Sequence, residues 1–344
     1  MKVGVLGATG YAGQELVRLL HRHDEVDSLY LGSSSVAGEA YESVYPHWSG
    51  QKVGILQDDK DETIPDLDVL FCALPHGLTA QRTSAFLARK IKVIDLGADF
   101  RLNSPEIYEQ WYKIKHPASD LLKDAVYGLP ELYREQIRGK SLIANPGCYP
   151  TATLLALVPL LRKKLLQTEY LIIDAKSGVS GAGRGVSLGN HYSEVNENFK
   201  AYGVATHRHT PEIEQELSRA AGQPLTVNFT PHLVPMIRGM LVTIYAKTQE
   251  GITEEDLRKC WLEQYEQEEF IHVLPQGTWP QTKFSSGSNH AFLQLTLDQR
   301  TGNAVIISTI DNLIKGAAGQ AVQNMNLAMG YPEGKALKGT ALWP

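Results

Sequence analysis

Short apolar runs alternate with amphipathic stretches along the first 165 residues. Residues 2–7 (KVGVLG) read as a strand, residues 13–22 carry helical periodicity through Leu16, Val17, Leu19 and Leu20, and residues 26–32 return to strand character. The alternation continues through a strand in 66–74, a helix near 79–89 and strands at 92–98 and 141–145. Pro146-Gly147 then leads into a helix from about 151 to 163, with Thr151 or Tyr149 as its expected N-cap. Strand, glycine turn, helix, strand is the opening βαβ unit of a Rossmann-type, doubly wound parallel sheet. Beyond residue 165 the pattern changes. Residues 178–206 are rich in Gly, Ser and Asn and have no clear period, and a loop of that length inside a compact domain is often functional. Strand-like LTVNF, GMLVTIYAK, AFLQLTLDQ and NAVIISTI follow, with helices near 211–221 and 253–267, which predicts an inserted α+β domain with a mainly antiparallel sheet. A last helix is expected from Asp311 to about Met329.

Composition adds exclusions. The 344 residues are 43% hydrophobic and 21% charged, an ordinary globular balance with length for two domains. Lys and Arg total 33 against 38 Asp and Glu, a net charge of -5 with no basic tail, so no nucleic-acid partner is expected. The amino-terminal apolar runs, broken by Gly7, Gly10 and Gly13, are too short for a membrane span or a signal h-region. Cys72, Cys148 and Cys260 are far apart, which points to a reducing, cytoplasmic setting and leaves each as a candidate nucleophile.

Two segments carry candidate chemistry. Gly7-Ala8-Thr9-Gly10-Tyr11-Ala12-Gly13 lies between a strand and a helix, where glycines let the backbone approach a pyrophosphate and aim helix amides at it. About 20 residues on, where NAD-binding relatives of this fold place a carboxylate, the chain reads Ser33-Ser34-Ser35. Hydroxyls without a carboxylate suit the 2′-phosphate of NADP(H). A short-chain reductase would need a helical Tyr-x-x-x-Lys; the one present, Tyr331 to Lys335, contains Pro and Gly.

The second segment is Asn145-Pro146-Gly147-Cys148-Tyr149-Pro150-Thr151, ahead of a helix whose N-terminal field favours thiolate. Cys72, in an apolar run, and Cys260, on an amphipathic helix, read as small buried hydrophobes. His209, in His207-Arg208-His209, is the candidate acid/base. The His-x-His pair lacks a completing Cys or Asp, so no metal is expected.

These segments resemble those of the N-acetyl-gamma-glutamyl-phosphate reductase family, relatives of aspartate-semialdehyde dehydrogenase. The most specific piece runs from Ile143 through Cys148 to Pro159. Further matches are Gly7 to Gly13, Asp95 to Arg101, Tyr127 to Glu131, Ser177 to Arg184 and Asp311 to Gln320. The resemblance implies Cys148 as nucleophile, His209 as general acid/base, NADPH as cofactor with Asn312 and Lys315 near the nicotinamide, and a homotetramer or homodimer. It also implies that the last helix rejoins the nucleotide domain, giving domains at 1–147 with 312–344 and at 148–311. An acidic protein must meet a doubly anionic acyl phosphate with local cations. Arg101, Lys176, Arg184 and Arg208 are the candidates, with Ser180 and His207 in the same segments. Acyl-chain length stays open between N-acetylglutamyl phosphate, its aminoadipyl analogue and aspartyl phosphate, because one methylene discriminates by only about 1–3 kcal/mol. A dinucleotide-binding redox sensor is the non-enzymatic alternative.

Overall fold

The computed structural model describes residues 1–343, which divide into two units: Met1–Pro146 with Ala317–Lys338, and Gly147–Gly316 with the residues from Gly339 on.

In the first unit, β1 (Lys2–Leu6), β2 (Ser28–Gly32), β3 (Val69–Cys72), β4 (Lys92–Asp95), β5 (Val126–Tyr127) and β6 (Leu142–Ala144) form one parallel sheet in the order β2-β1-β3-β4-β6-β5. Its helices are α1 (Tyr11–Leu20), the short α2 (Tyr41–Val44), α3 (Leu78–Ala88), α4 (Pro105–Tyr112) and α5 (Pro130–Ile137). Strands covered on both faces need no polar alternation, and β3 is accordingly Val-Leu-Phe-Cys with every residue buried. The chain leaves β1 for β2 on one side and crosses to β3 on the other. This switch point, at the carboxyl end of β1, holds the glycine turn.

In the second unit, β7 (Leu166–Gly178), β8 (Lys200–Ala201), β9 (Asn228–Val234), β10 (Met240–Thr248), β11 (Ile271–Val273), β12 (Ala291–Asp298) and β13 (Asn303–Ile310) form a sheet in the order β11-β12-β13-β10-β7-β9-β8. The β11/β12 and β7/β9 pairs are parallel and the others antiparallel. With the sheet go α6 (Cys148–Arg162), α7 (Tyr192–Val195), α8 (Thr210–Ala221), α9 (Glu254–Tyr265) and α10 (Thr282–Ser285).

Helix α6 is the spine of this unit. Every residue from Tyr149 to Leu161 is buried, as an all-round apolar sequence requires. Pro159 inside it removes the N–H that would bond the Leu155 carbonyl. Tyr265 Oη on α9 donates to that carbonyl at 2.5 Å, and Trp261 Nε1 donates to the next one, Ala156 O, at 2.9 Å. The helix starts at Cys148 with Gly147 as N-cap, three residues earlier than expected. Pro150 lies in the first turn, where its missing N–H has no intrahelical role.

The last helix also differs from expectation. Asn312 and Leu313 form a turn, Ile314–Ala318 a π-turn, and only α11 (Gly319–Met329) is α-helical. The chain rejoins the first unit at Ala317 instead of residue 312, because Asp311 and Asn312 are bonded within the second unit. None of the described helices is long and apolar enough to cross a membrane.

Candidate active site

The glycine turn is shaped by its own backbone. Gly7 has φ +74°, and a Cβ at Gly13 would lie 2.9 Å from Ala8 Cα and collide with the Gly7 carbonyl oxygen. The N–H groups of Gly7 and Ala8 both donate to Gly32 O at 3.1 Å, which sets Ser33, Ser34 and Ser35 beside the turn. Tyr41 and Tyr45, which the sequence did not flag, brace it by donating to Ala8 O at 3.2 Å and Thr9 O at 2.9 Å. Helix α1 begins at Tyr11 and Ala12 with Gly10 as N-cap, without a side-chain cap or an acidic residue in its first turn. Such a start suits a phosphate.

Asp95 to Arg101 form a buried brace at the end of β4. Asp99 accepts from Gly77 N at 2.7 Å, Ala80 N at 3.0 Å and Tyr108 Oη at 2.8 Å. Asp95 accepts from Gly97 N and Asp99 N; burial, then the neighbouring Asp99 charge, raise its carboxyl to about 7. Arg101 is buried and donates to Asn145 O at 2.8 Å and Leu96 O at 2.9 Å. Asn145 in turn donates to Ala317 O at 3.1 Å and accepts from Asn324 at 3.0 Å. This network holds the strand end three residues before Cys148.

In the second unit two helix starts meet. Cys148, half-buried, is the first residue of α6, and His209 is the N-cap of α8. They are joined by Glu212, whose buried carboxylate accepts from Gly147 N at 2.9 Å. Tyr149 lies between them, its ring 5.9 Å from that of His209 and 5.6 Å from that of His207. Tyr202 Oη donates to Tyr149 Oη at 3.1 Å. Burial pushes the Tyr202 phenol up to about 12 and that of Tyr149 further, so both stay protonated at neutral pH. His207 Nδ1 accepts from His209 N at 3.1 Å; burial, reinforced by Arg208, lowers this imidazole to about 4 and keeps it neutral.

Cys72 is fully buried, with its thiol raised far out of the nucleophilic range by burial, and burial raises Cys260 to about 11. Ser180 is buried and accepts from Asn312 Nδ2 at 2.9 Å, while Asn312 Oδ1 accepts from Gly239 N at 2.9 Å. Lys176 pairs with Asp174 at 2.5 Å. Arg184 and Arg208 are exposed, and Lys315 is fully buried with its ammonium 5.7 Å from the centre of the Phe270 ring. Among the described residues no group of three or more His, Cys, Asp or Glu side chains is placed to hold a metal. Glu212 had one local signal, its place three residues after His209 in the first turn of a helix, but nothing in the sequence names Gly147 as its partner.

Residues 2–140 match the model of the semialdehyde dehydrogenase NAD binding domain, and residues 148–312 that of the semialdehyde dehydrogenase dimerisation domain. An N-acetyl-gamma-glutamyl-phosphate reductase of Pelotomaculum thermopropionicum is 53% identical over 347 aligned positions, covering 100% of this chain and 99% of that protein. The chain belongs to the N-acetyl-gamma-glutamyl-phosphate reductase family. The fold of this reductase family member is shared by aspartate semialdehyde dehydrogenase II of Vibrio cholerae, solved with ASA. That structure has a TM-score of 0.74 at 20% identity, over 96% of this chain and 98% of that one. The Candida albicans aspartate semialdehyde dehydrogenase solved with NADP has a TM-score of 0.71 at 20% identity, over 95% and 98% of the two chains.

Proposed function

We propose that this protein is an NADPH-dependent reductase of N-acetyl-L-glutamyl 5-phosphate, forming N-acetyl-L-glutamate 5-semialdehyde and phosphate in arginine biosynthesis. The observation that carries the reading is the thiol at the first position of α6, on a turn tied by Glu212 to the helix that His209 caps. The family's name supports the substrate.

The Cys148 thiolate attacks the acyl carbonyl, the C–O bond to phosphate breaks, and a thioester forms. When bound, NADPH supplies the hydride that reduces this thioester. His209 takes the thiol proton to form this thiolate before it adds, and returns the proton to sulfur as the thiolate leaves the tetrahedral intermediate, releasing the aldehyde. The positive field at the start of α6, which favours the thiolate, also favours the oxyanion formed beside it. Gly7, Thr9, Gly10, Tyr11, Ala12 and Gly13 hold the pyrophosphate and Ser33, Ser34 and Ser35 the 2′-phosphate. The open start of α1, with no carboxylate beside it, fits that dinucleotide. Arg184 and Arg208, with His207, meet the substrate's anionic groups, while Arg101 and Ser180 act through the loops they hold. Asn312 fixes the Ser180 loop by donating to Ser180 Oγ and serves the cofactor from there. Residues 1–146 with 317–338 serve the dinucleotide, and 147–316 the acyl group and self-association.

The protein works in the cytoplasm as a homodimer or homotetramer. The outward residues of the second sheet supply a mixed face, with Tyr245 opposite Val305 and Ile172, and Thr243 opposite Ile307 and Asp174, which pairs with Lys176. Light scattering tests the oligomer. The decisive assay runs in reverse, following NADP reduction with phosphate and each of three semialdehydes. Highest efficiency with N-acetylglutamate semialdehyde is expected; higher efficiency with the aspartate or aminoadipate analogue overturns the substrate, and no turnover with any overturns the enzyme in favour of a sensor.

A further inference from the structure

We propose that Gly316 is a positioning residue for the thiol of Cys148, and that the π-turn Ile314–Ala318 serves to lay this side-chain-free residue against it. The proposal rests on the reading of Cys148 as nucleophile. A Cβ built on Gly316 would lie 2.7 Å from Cys148 Cβ, 3.2 Å from its Cα and 3.3 Å from Ile310 Cδ1. The backbone gives no other reason for glycine, because Gly316 is not among the residues with positive φ. The missing side chain is required by the contact alone.

Neither side of that contact can yield. Cys148 opens a helix whose next thirteen residues are all buried. Gly316 N–H reaches back five residues to Asp311 O at 2.9 Å, the bond that defines a π-turn. The Asp311 carboxylate accepts from Leu313 N at 2.8 Å, Ile314 N at 3.1 Å and Gly287 N at 2.7 Å, and the Asn312 carboxamide is bonded at both ends. Irregular turns of this kind are rare and tend to occur at functional sites. Here the irregularity closes one side of Cys148 with main chain and so limits the directions the thiol can take.

The test is a double-mutant cycle with a kinetic arm. Gly316→Ala should lower Tm in the native background and much less in a Cys148→Gly background, which removes the Cβ it strikes; equal losses in both backgrounds overturn the contact. If Gly316→Ala alone fails to fold, recovery of folding by Cys148→Gly supports the contact and failure to recover overturns it. In folded Gly316→Ala, kcat should fall about 100-fold, the scale for displacing a reacting group by about 1 Å. KM for the acyl phosphate and NADPH affinity should change less than about threefold, and the pH profile of Cys148 alkylation by iodoacetamide should shift. Native kcat with a native alkylation profile overturns the proposal, as does restoration by Ile310→Val, which relieves only the other contact. Gly339→Ala, where a Cβ meets nothing within 4 Å, controls for the glycine itself and should match the native protein. A Cys148→Ser protein that keeps full activity would overturn the nucleophile reading while leaving the stability cycle unaffected, so the two failures are distinguishable.

Discussion

The chain makes the same strand-to-helix turn twice and finishes it in two ways. Gly10 caps α1 with φ -76° and ψ 167°, and Gly147 caps α6 with φ -69° and ψ 156°, so the two backbones enter their helices almost identically. Around Gly10 glycines clear space and the first-turn amides are offered to a ligand, while Tyr41 and Tyr45 hold only the carbonyls of Ala8 and Thr9 behind it. Around Gly147 two side chains and one distant glycine close in. Glu212 takes its N–H, Thr151 Oγ1 donates to its carbonyl at 2.9 Å, and Gly316 backs the next residue. A turn left open suits an anion that arrives and leaves, whereas one braced from three sides suits a nucleophile that must stay in one place.

The largest test of this contrast is Cys148→Ser. A serine hydroxyl is a far weaker nucleophile here, and kcat should drop by on the order of 10⁴–10⁶-fold, the range for losing a covalent catalyst. NADPH titration by fluorescence should be unchanged, since the open turn is untouched. Turnover within tenfold of native would contradict the assignment of the braced turn to covalent chemistry.

Gly13→Ala strikes the other turn. The added methyl meets the Gly7 carbonyl and Ala8 Cα, overpacking of a kind that costs about 1–3 kcal/mol. NADPH affinity should weaken by roughly 10- to 100-fold, while kcat at saturating NADPH stays near native and alkylation of Cys148 proceeds at the native rate. A fall in kcat without weaker NADPH binding would show that the two turns do not divide the work as described.

Glu212 lets the brace be weakened by degrees. Glu212→Ala leaves Gly147 N–H buried without its acceptor, a loss of about 1–3 kcal/mol in unfolding free energy, and Glu212→Gln, which keeps an acceptor oxygen, should lose less than half as much. Chemical denaturation measures both. Equal losses would mean that the carboxylate's charge, and not this hydrogen bond, matters.

The two turns were also unequally legible in the sequence. Gly7, Gly10 and Gly13 announce themselves, because the glycines that give the turn its shape lie within seven residues of sequence, although Gly32, Tyr41 and Tyr45 support it from further along the chain. The parallel sheet was legible for a related reason, since doubly covered strands such as Val69–Cys72 are short apolar runs. At the second turn Cys148 and His209 stand out by residue type, but α6 begins three residues before its expected start, because Thr151 and Tyr149 resemble N-caps while the cap is Gly147. Glu212 and Gly316 carry no mark of their partners; a hydrogen bond across 65 residues and a missing methyl are tertiary facts. The π-turn was hidden too, as Asp311 to Met329 has the composition of one continuous helix.

The pH-dependent effect is expected at Asp95, whose main-chain carbonyl accepts from Asn145 N at 2.8 Å and so supports the strand that feeds the braced turn. Its carboxyl is raised from 3.8 to about 7, by burial first and by Asp99 second, with Arg101 opposing. The folded protein therefore holds this proton more tightly than the unfolded chain does. The resulting stability is complete below pH 3.8 and is lost as pH rises through about 7. Asp95→Asn stays uncharged, keeps an acceptor for Gly97 N and turns an N–H₂ toward Asp99 N, a pH-independent loss of about 1 kcal/mol. The variant should melt below the native protein only near pH 4, and the difference should shift steadily in the variant's favour as pH rises from 4 to 8. His207 and His290, both lowered to about 4 mainly by burial, act in the opposite sense between about 4 and 6.5, but they are present in both proteins and cancel in the difference. Parallel melting curves from pH 5 to 8 would show that Asp95 holds its proton no differently in the folded protein. The support of the second turn would then be as indifferent to pH as the glycine turn, which has no titrating group of its own at neutral pH.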